Sequence, residues 1–520
     1  MDAVTGSEMA ADELNARYLG VTELQLMENA GSHVALEVAS RFNPKKHRVM
    51  VFSGTGGNGG DGFVAARHLA CYGFKVRVIL VGSPKDIENE GARVNWNALT
   101  SLRTSIETVI AYDTSLLPRP SSDVIVDALL GIGVKGVLRS PAAEAVKLIN
   151  KAEAFRVAVD IPTGIDADTG EVKGEAVKAH VTVTFHKAKR GLLKAKEYVG
   201  EMKVVNIGIP PEASLYAGPG DTVQALKPRA VNAHKGDFGR LLVIGGSETY
   251  SGAPALVALA ALRTGVDLSY VAAPERTAVT ISSMSPDLIT VKVPGEHLNL
   301  KGVTVIKPFL DAATAVVMGP GLGLHEETLS AVEEVFKWVS VKRLPTVLDA
   351  DGLKAYAAFK RRVDFPMVIT PHTGEYKVLT GATLPEPLQE KVSLVKATAE
   401  SLHSTILLKG PVDIITDGGN VKLNLTGNPG MTVGGTGDVL SGIVGAFMAQ
   451  GIAPYKSAVS AAFINGGAGD MVSKDKGFHM VASDLLDKIP VFLELCRRRE
   501  VDRLRKLTLE GKAVASLIPG

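Results

Sequence analysis

Residues 428–440 read Asn-Pro-Gly-Met-Thr-Val-Gly-Gly-Thr-Gly-Asp-Val-Leu, and they say more about this 520-residue chain than any other stretch. The glycines allow backbone N–H groups to converge on one point, and the apolar, helix-like segment 439–449 adds the partial positive charge of a helix N-terminus. Together they predict a site for an anion such as a phosphate. Asp438 stands at the mouth of this site, where a carboxylate would repel a phosphate. We therefore interpret Asp438 as the general base of a phosphoryl transfer, with a simple helix N-cap as the alternative.

The composition is that of a globular protein with more than one domain. Apolar residues make up 46% of the chain and charged residues 22%, which is enough to bury sizeable cores. The formal net charge of +2 argues against a nucleic-acid or membrane role driven by bulk charge. Cys71 and Cys496 form neither a disulfide framework nor a CxxC zinc site, and they favour a reducing cytoplasm. The eleven histidines show no HExxH pattern, which argues against a structural zinc site.

We expect neither a signal peptide nor a membrane span. Residues 1–15 carry four acidic side chains and no apolar core. The longest apolar stretches, such as residues 252–262, are too short and too often broken by glycine or proline to cross a bilayer.

Short β-branched runs alternate with helical patterns, which predicts parallel sheets covered by helices on both faces. In the first part, the predicted strands are residues 48–53, 76–81, 124–128, 156–160 and 181–185, with helices at 60–72 and 141–152. Residues 209–213 and 217–221 are rich in proline and glycine and interrupt this rhythm. It restarts with predicted strands at 240–246, 268–273, 315–319, 346–349, 367–370 and 405–409. The sequence therefore predicts two α/β domains, residues 1–225 and 226–520.

A second glycine-rich segment, residues 54–62, reads GTGGNGGDG and follows the first predicted strand. It contains the G-x-G-x-x-G pattern of a dinucleotide-binding Rossmann turn. Two observations weaken that interpretation. Residues 80–84 read LVGSP, so the next strand does not end in the acidic residue that would hold a ribose. Asn58 and Asp61 are polar groups that a plain phosphate turn does not need.

Further polar side chains stand at the ends of other predicted strands: Asp127, Asp160 and Lys187. The carboxyl ends of the strands of a doubly wound sheet gather in one crevice, where ligands bind. We therefore expect these residues to share a site with the 54–62 loop.

The first half of the chain resembles the NAD(P)H-hydrate epimerases. The resemblance covers roughly residues 9–210 and is carried by LMENAG at 26–31, NGGDG at 58–62, VDAL at 126–129 and DIPTGID at 160–166. It implies a potassium ion held by Asn58, Asp127 and Thr163, and oxygen donors of this kind suit a hard cation. The implied substrate-binding residues are Gly57, Asn58, Gly59, Gly60, Asp61, Gly131, Ile132, Gly133, Val134, Lys135, Gly136, Val137 and Asp160.

The chain departs from this family at two positions. Gly57 stands where the family usually has asparagine, so one polar contact is lost. Thr163 stands where the family usually has serine, and it keeps the hydroxyl group. Asp160 and Lys187 are our candidates for acid–base catalysis at the carbon that inverts.

The second half resembles the ribokinase-type fold and, within it, the ADP- or ATP-dependent NAD(P)H-hydrate dehydratases. The matching segments are 234–239, 250–255, 349–352, 371–375 and 428–438, and no G-x-x-x-x-G-K-[ST] motif of a P-loop NTPase occurs. The implied nucleotide-binding residues are Lys409, Gly410, Pro411, Val412, Asp413, Gly434, Gly435, Thr436 and Gly437. The implied contacts of the hydrated cofactor are Ala253, Leu322 or its neighbour Gly321, His372 and Asp438.

Together, the resemblances imply a bifunctional enzyme with a Rossmann-like doubly wound domain and a ribokinase-like α/β domain. It would repair NADH and NADPH whose nicotinamide ring has added water. The first domain would interconvert the R and S epimers. The second would phosphorylate the ring hydroxyl of the S epimer and eliminate phosphate, which is a better leaving group than hydroxide. Asp438 would accept the hydroxyl proton while the amides of the 434–437 loop stabilise the phosphoryl charge.

The implied partners are the hydrate epimers and ADP or ATP, with ADP preferred. Potassium would serve the first domain, and Mg²⁺ would accompany the nucleotide. We expect no nucleic-acid or membrane partner, a cytoplasmic location and a homo-oligomer. Two alternatives stay open at this point. The second domain could be a kinase for a small molecule, and the first could be a binding module without catalytic activity.

Overall fold

The computed structural model describes residues 3–133, 135–359, 362–510 and 512. The chain divides into two compact units, Met1–Pro210 and Pro211–Gly520. The boundary between these units lies before the predicted domain boundary at residue 225. Residues 211–225 belong to the second unit because they are bound to its sheet: Lys422 lies 2.9 Å from Asp221, and the Ala217 N–H donates to the Leu423 carbonyl at 2.8 Å. Tyr216 also forms an isolated parallel bridge with Leu423.

The first unit alternates strands and helices, as its sequence predicts. Its strands are β1 (Ala3–Val4), β2 (Arg48–Ser53), β3 (Lys75–Val81), β4 (Ile106–Ala111), β5 (Val124–Ala128), β6 (Phe155–Val159), β7 (Val181–Phe185), β8 (Ala188–Lys189) and β9 (Glu201–Val205). Its helices are α1 (Gly6–Leu19), α2 (Glu23–Arg41), α3 (Gly57–Cys71), α4 (Glu90–Ser101), α5 (Ala142–Lys151), α6 (Arg190–Lys194) and α7 (Lys196–Val199).

The main sheet of this unit is parallel, with the order β4-β3-β2-β5-β6-β7-β9. The chain runs outward from β2 in one direction and then returns to β5 on its other side. The strand order therefore reverses between β2 and β5, and such a reversal opens a crevice at the carboxyl ends of the strands. The predicted doubly wound, Rossmann-like architecture is confirmed.

The second unit is a larger α/β unit. Its strands are β10 (Arg240–Ile244), β11 (Leu268–Pro274), β12 (Ile289–Val293), β13 (Ala315–Met318), β14 (Thr346–Leu348), β15 (Met367–Ile369), β16 (Thr405–Leu408), β17 (Asp413–Thr416) and β18 (Val421–Asn424). Its helices are α8 (Pro211–Leu215), α9 (Pro219–Ala225), α10 (Gly252–Thr264), α11 (Glu275–Ser282), α12 (Leu300–Ala312), α13 (Glu326–Lys342), α14 (Ala350–Phe359), α15 (Thr373–Thr380), α16 (Leu388–Leu402), α17 (Thr436–Ala449), α18 (Pro454–Lys476), α19 (Ala482–Arg497) and α20 (Val501–Thr508).

The sheet of the second unit has the order β12-β11-β10-β13-β14-β15-β16-β17-β18. It is parallel up to β16 and ends in the antiparallel strands β17 and β18. The neighbouring strands β14, β15 and β16 bring the loops that follow them to one edge of the sheet. This α/β architecture agrees with the predicted ribokinase-like fold.

Helix α17 is the buried centre of this unit. Every residue from Val439 to Ala449 is buried, and the helix packs against α10 and α18. A helix that is apolar on all sides is expected inside a large core. Within the part of the chain that the structure describes, no helix is both long and apolar enough to cross a membrane.

Candidate active sites

The glycine-rich turn after β2 lies at the point where the strand order of the first unit reverses. A Cβ atom on Gly54 would collide with the carbonyl oxygen of Leu129, and one on Gly59 would collide with that of Gly54. Only glycine therefore lets the start of α3 approach the end of β5 this closely. Helix α3 begins after Gly56, and none of the described side chains caps it. Its first amide groups therefore remain free to face an anionic ligand.

The predicted substrate-binding loop after β5 is open. Gly133 and Gly136, like Gly57 in the turn before α3, would place a Cβ atom where no described atom lies within 4 Å. Val137 is 71% exposed. Such an open surface leaves space for a ligand. Val134 lies outside the described residues.

The predicted potassium ligands Asp127 and Thr163 are in contact. Thr163 donates to the Asp127 carboxylate twice, through its hydroxyl at 2.7 Å and its N–H at 2.8 Å. Both residues are fully buried, and burial raises the pKa of Asp127 to about 6 although these hydrogen bonds lower it.

Asn58, the third predicted ligand, lies beside the same turn. A Cβ atom on Gly131 would be 3.3 Å from the Asn58 Oδ1, while the Thr163 hydroxyl lies 3.2 Å from the carbonyl oxygen of Leu130. The buried Asn58 Nδ2 has no hydrogen-bond partner among the described atoms. A buried polar group without a partner is costly, so the site is built to receive a polar ligand.

Asp160 is paired with Lys189, a residue that the sequence does not single out. The fully buried Lys189 ammonium donates to the Asp160 carboxylate and, at 3.0 Å, to the Phe185 carbonyl. Asp160 has a φ of +60°, a conformation that residues other than glycine adopt mainly where the surrounding structure enforces it. The predicted Lys187 instead lies 3.6 Å from Asp12. The structure thus brings Lys189, and not Lys187, against Asp160.

The charges of Asp160 and Lys189 also act on two further carboxyl groups, those of Glu13 and Asp61. Burial, together with the charge of Asp160, raises the pKa of Glu13 to about 7 and that of Asp61 well above its usual range. The Lys189 ammonium opposes both shifts. Asp61 is a predicted site residue, whereas Glu13 comes from α1 and has no motif that would reveal it. Glu13 can therefore exchange a proton near neutral pH, and burial makes Asp61 easier to protonate than an ordinary aspartate.

In the second unit, the 428–440 loop ends where α17 begins. The helix starts after Gly435, which has a φ of +99° and offers no side-chain cap. Thr436 closes the loop by donating its hydroxyl to the Met431 carbonyl at 2.8 Å. Asp438 lies in the first turn of the helix and not at its N-cap, so the simple capping role is wrong. Gly434 would place a Cβ atom in space that no described atom occupies within 4 Å.

Asp438 is one of four charged groups that converge near this helix start. Lys409 follows β16 and lies 3.0 Å from the Asp349 carboxylate and 3.6 Å from that of Glu375. A Cβ atom on Gly437 would be 3.4 Å from the Lys409 Nζ. Burial raises the pKa of Asp438 to about 7, the charges of Asp349 and Glu375 add to this, and Lys409 opposes it. Asp438 can therefore act as a base near neutral pH.

Lys409 keeps its positive charge in this environment. Burial lowers its pKa, but the carboxylates of Asp349 and Glu375 outweigh that effect and raise it. A charged ammonium beside the Gly437 backbone is suited to bind a phosphate oxygen.

The segment that follows Lys409 forms a closed turn. The Gly410 N–H donates to the Asp413 Oδ1 at 2.9 Å, and the Asn424 side chain donates to its Oδ2 at 2.9 Å. Burial raises the pKa of Asp413 to about 6. Asp413 thus holds the predicted nucleotide-binding segment in shape through contacts within the chain.

The predicted contacts of the hydrated cofactor lie on three segments: the start of α10, the loop after β13 and the loop after β15. A Cβ atom on Gly321 would be 3.5 Å from the Ala253 side chain and 2.8 Å from that of Tyr250. Leu322 is only 2% exposed and its side chain packs in the core, so a ligand would meet its main chain. The His372 side chain is 58% exposed, and the His372 N–H donates to the Glu375 carboxylate at 2.9 Å.

Sequence reasoning misses Asp349 and Glu375, although both lie in the segments that carry the resemblance. Asp349 follows β14, and Glu375 lies in the first turn of the helix after β15. Their positions beside β16 could be inferred only from the order of the strands, which the sequence does not state.

Two family models match the chain. The model described as NAD(P)H-hydrate dehydratase matches residues 241–491, and the model described as YjeF-related protein N-terminus matches residues 23–191.

Relatives of similar length match nearly the whole chain. The bifunctional NAD(P)H-hydrate repair enzyme Nnr of Pyrobaculum aerophilum is 49% identical over 500 residues, covering 94% of this chain and 98% of the relative. The enzyme of the same name from Hyperthermus butylicus is 42% identical over 495 residues, covering 94% and 91%. A solved structure of the ADP/ATP-dependent NAD(P)H-hydrate dehydratase from Bacillus subtilis, co-crystallized with ATP/Mg²⁺, is 26% identical, covers 54% of this chain and 99% of that chain, and has a TM-score of 0.47.

Proposed function

Because the chain belongs to the family of bifunctional NAD(P)H-hydrate repair enzymes, we propose that its two units carry out two steps of one repair reaction. The first unit interconverts the R and S epimers of hydrated NADH and NADPH. The second converts the S epimer to NAD(P)H at the expense of ADP or ATP. Asp438 carries the proposal for the second step, because its carboxyl group has a pKa of about 7 and stands at the glycine-rich start of α17.

In the second unit, Asp438 accepts the proton of the ring hydroxyl as that oxygen attacks the terminal phosphoryl group of the nucleotide. The bond between this phosphorus and its bridging oxygen breaks, so that ADP leaves AMP and ATP leaves ADP. The carbon–oxygen bond to the new phosphate then breaks, and a proton leaves the neighbouring ring carbon, which restores the double bond. Lys409 and the amides of the 434–437 loop stabilise the phosphate oxygens in the first step.

Carboxylate oxygens near the phosphoryl site fit a magnesium ion bound together with the nucleotide. Glu375 and Asp438 are the residues that we propose to face it, since Mg²⁺ prefers oxygen ligands and usually bridges to substrate phosphates. The ion would neutralise phosphate charge in a site that already holds Asp349. The Glu375 carboxylate is 7% exposed and lies 3.6 Å from the Lys409 ammonium.

In the first unit, we assign acid–base chemistry to Asp160 together with Lys189, in place of Lys187. The buried ion pair holds the Asp160 carboxylate at the carboxyl edge of the sheet, where the 54–62 turn also ends. Glu13 supplies a further group that can hold a proton near neutral pH, and burial also raises the pKa of the Asp61 carboxyl group.

The residues Asn58, Asp127 and Thr163 fit a potassium ion. They offer an amide, a carboxylate and a hydroxyl oxygen from the carboxyl ends of the neighbouring strands β2, β5 and β6. This predominantly neutral set of oxygen atoms favours a monovalent cation over a transition metal. The ion would supply positive charge beside the substrate.

A single assay tests the proposed function. Purified protein is incubated with a mixture of R and S NADH hydrates and with ADP or ATP, and regenerated NADH is followed by its absorbance. We expect full conversion of both epimers. Accumulation of a phosphorylated product without NADH would identify a kinase instead. Conversion of only the S fraction would show that the first unit does not interconvert the epimers. A cytoplasmic location and a homo-oligomer stay predictions.

A further inference from the structure

Lys354 is a positively charged residue of the second unit that has no part in the chemistry described above. It lies one turn into α14, and its Nζ is 2.8 Å from the Asp351 Oδ1. The other Asp351 oxygen, Oδ2, accepts the N–H of Gly323 at 3.0 Å. The ion pair is therefore attached to the 319–323 loop, whose Leu322 is a predicted contact of the hydrated cofactor.

The electrostatic surroundings of Lys354 point to the same place. The hydrogen bond with Asp351 and the charge of that carboxylate raise the pKa of the Lys354 ammonium although burial lowers it, and the charge of Glu375 adds to the increase. Tyr250 packs on Gly321 and is 55% exposed, and Glu375 accepts the N–H of His372. Lys354 is thus linked through Asp351 to the loop after β13, and the charge of Glu375, in the helix that follows His372, acts on it as well. About a third of its side chain is exposed, so it is accessible to a ligand.

The charges of the two ligands suggest what Lys354 does. Lys409 lies beside Gly437, on the side assigned to ADP or ATP. The second ligand, a hydrated dinucleotide, carries a negatively charged diphosphate, and the NADPH form carries a 2′-phosphate as well. It must enter a site that already contains the carboxyl groups of Asp349, Asp351, Glu375 and Asp438. A cation on the substrate side offsets this repulsion.

We propose that the Lys354 ammonium binds a phosphate group of the hydrated dinucleotide. This inference rests on the proposed function and deepens it by naming how the second unit recognises its substrate. A charge-assisted hydrogen bond to a phosphate adds both affinity and geometric selection. Lysine at this position discriminates against uncharged ring compounds, because they lack the group that it binds.

The test compares Lys354→Met with the wild-type full-length chain. Binding of the purified S hydrates of NADH and NADPH is measured calorimetrically without nucleotide, where no turnover occurs, and steady-state kinetics are measured with ADP or ATP. We expect the dissociation constant and KM of the hydrate to rise about tenfold, while kcat and the KM of the nucleotide stay unchanged. Lys354→Arg should restore most of the affinity. The matched control is Lys337→Met, which removes another lysine of an i,i+3 ion pair on α13.

The two hydrates identify which phosphate Lys354 binds. Equal weakening for both means that it binds the diphosphate, and weakening for the NADPH hydrate alone means that it binds the 2′-phosphate. Unchanged hydrate binding in Lys354→Met, or a raised KM for ADP alone, overturns the proposal while leaving the proposed function intact. If the wild-type chain neither binds nor converts either hydrate, the proposed function fails and this inference fails with it.

Discussion

Asp438 is the residue on which the second reaction depends, and its protonation sets the pH range of activity. With a pKa of about 7, the carboxylate is about one-tenth populated at pH 6 and about nine-tenths populated at pH 8. We therefore expect kcat/KM for dehydration to rise across this interval. Asp438→Asn should lower turnover by about 100- to 10,000-fold at pH 8, because asparagine cannot accept the proton, and by a smaller factor at pH 6, where most of the wild-type carboxyl group is already protonated. Steady-state rates from pH 5.5 to 9 and calorimetric binding of ADP check this, and loss of nucleotide binding in the variant would show that the loop had collapsed.

Asp349 shifts the pH range of Asp438 without contacting the proton that is transferred. Its negative charge raises the Asp438 pKa, and it engages Lys409, whose charge lowers that pKa. Asp349→Asn removes the negative charge that raises the Asp438 pKa. It also leaves the Lys409 ammonium without this carboxylate, so that the ammonium lowers the Asp438 pKa further. Both changes favour the carboxylate form of Asp438, so the acidic limb of the kcat/KM profile should move to lower pH. The matched control is Asp364→Asn on the exposed surface, and a limb that stays in place in Asp349→Asn would contradict the argument.

Lys189 is expected to matter for both the stability and the activity of the first unit. Lys189→Met leaves the Asp160 carboxylate buried without its cation, which typically costs about 3–5 kcal/mol. Conversion of the pure R epimer should be lost, while the turnover of the S epimer should persist. Calorimetric unfolding and epimer analysis measure both effects. The matched control is Lys203→Met, which removes an exposed partner of Glu201 and should leave the unfolding temperature essentially unchanged.

Some residues of the two sites can be identified from the sequence alone, and others cannot. Asp438, Asp127 and Asp160 can be found because each stands beside a recognisable motif. Lys189 cannot, because the chain adopts a φ of +62° at His186, so the alternation of β7 does not extend to position 189. Glu13 comes to the site from an N-terminal helix, and only tertiary packing brings it there.

At the scale of elements, the predictable strands are those with continuous apolar runs. The predictions for residues 48–53, 124–128 and 181–185 coincide with β2, β5 and β7. The sequence does not predict β4, an edge strand whose residues 107–110 are partly or fully exposed. The sequence also does not predict the hairpin of β17 and β18. The residues just before β17 belong to the motif that starts at Lys409, so the start of the strand cannot be recognised from the sequence pattern. A buried strand can be predicted from its own composition, whereas an edge strand can be recognised only from the strand with which it pairs.

Helix α17 must pack closely to place Asp438. A Cβ atom on Gly442 would collide with the Val257 carbonyl of α10 and lie 2.9 Å from the Ala260 side chain. Gly442→Ala should therefore displace α17, destabilise the second unit by about 1–3 kcal/mol and reduce dehydration, with epimerisation unchanged. Thermal unfolding and the two activity assays measure this. Gly419→Ala, in an exposed turn, is the control. Equal stability of the two variants would show that α10 and α17 can move apart without destabilising the second unit.

At the scale of the whole molecule, we expect the unit boundary at residue 210 to decide which fragment functions alone. Residues 211–520 keep the ion pair of Asp221 with Lys422, whose side chain is only 10% exposed, whereas residues 226–520 lose it. A lost hydrogen bond to a charged group costs about 1.5–3 kcal/mol. We expect the longer fragment to fold, to convert only the S epimer and to melt at a higher temperature than the shorter one. Scanning calorimetry of both fragments tests this, and equal melting temperatures would restore the boundary at residue 225.

The bridge between Tyr216 and Leu423 has a further consequence, which concerns solubility. Strand β18 is the last strand of the nine-stranded sheet, and an uncovered last strand presents unpaired N–H and C=O groups to any other extended chain. The Ala217 N–H satisfies the Leu423 carbonyl, so the segment that leaves the first unit also shields the border of the second. A second unit cut free after Ala217 would expose this border and tend to self-associate strand by strand. The segment before α9 therefore protects the edge of this sheet against aggregation, in addition to connecting the two units covalently.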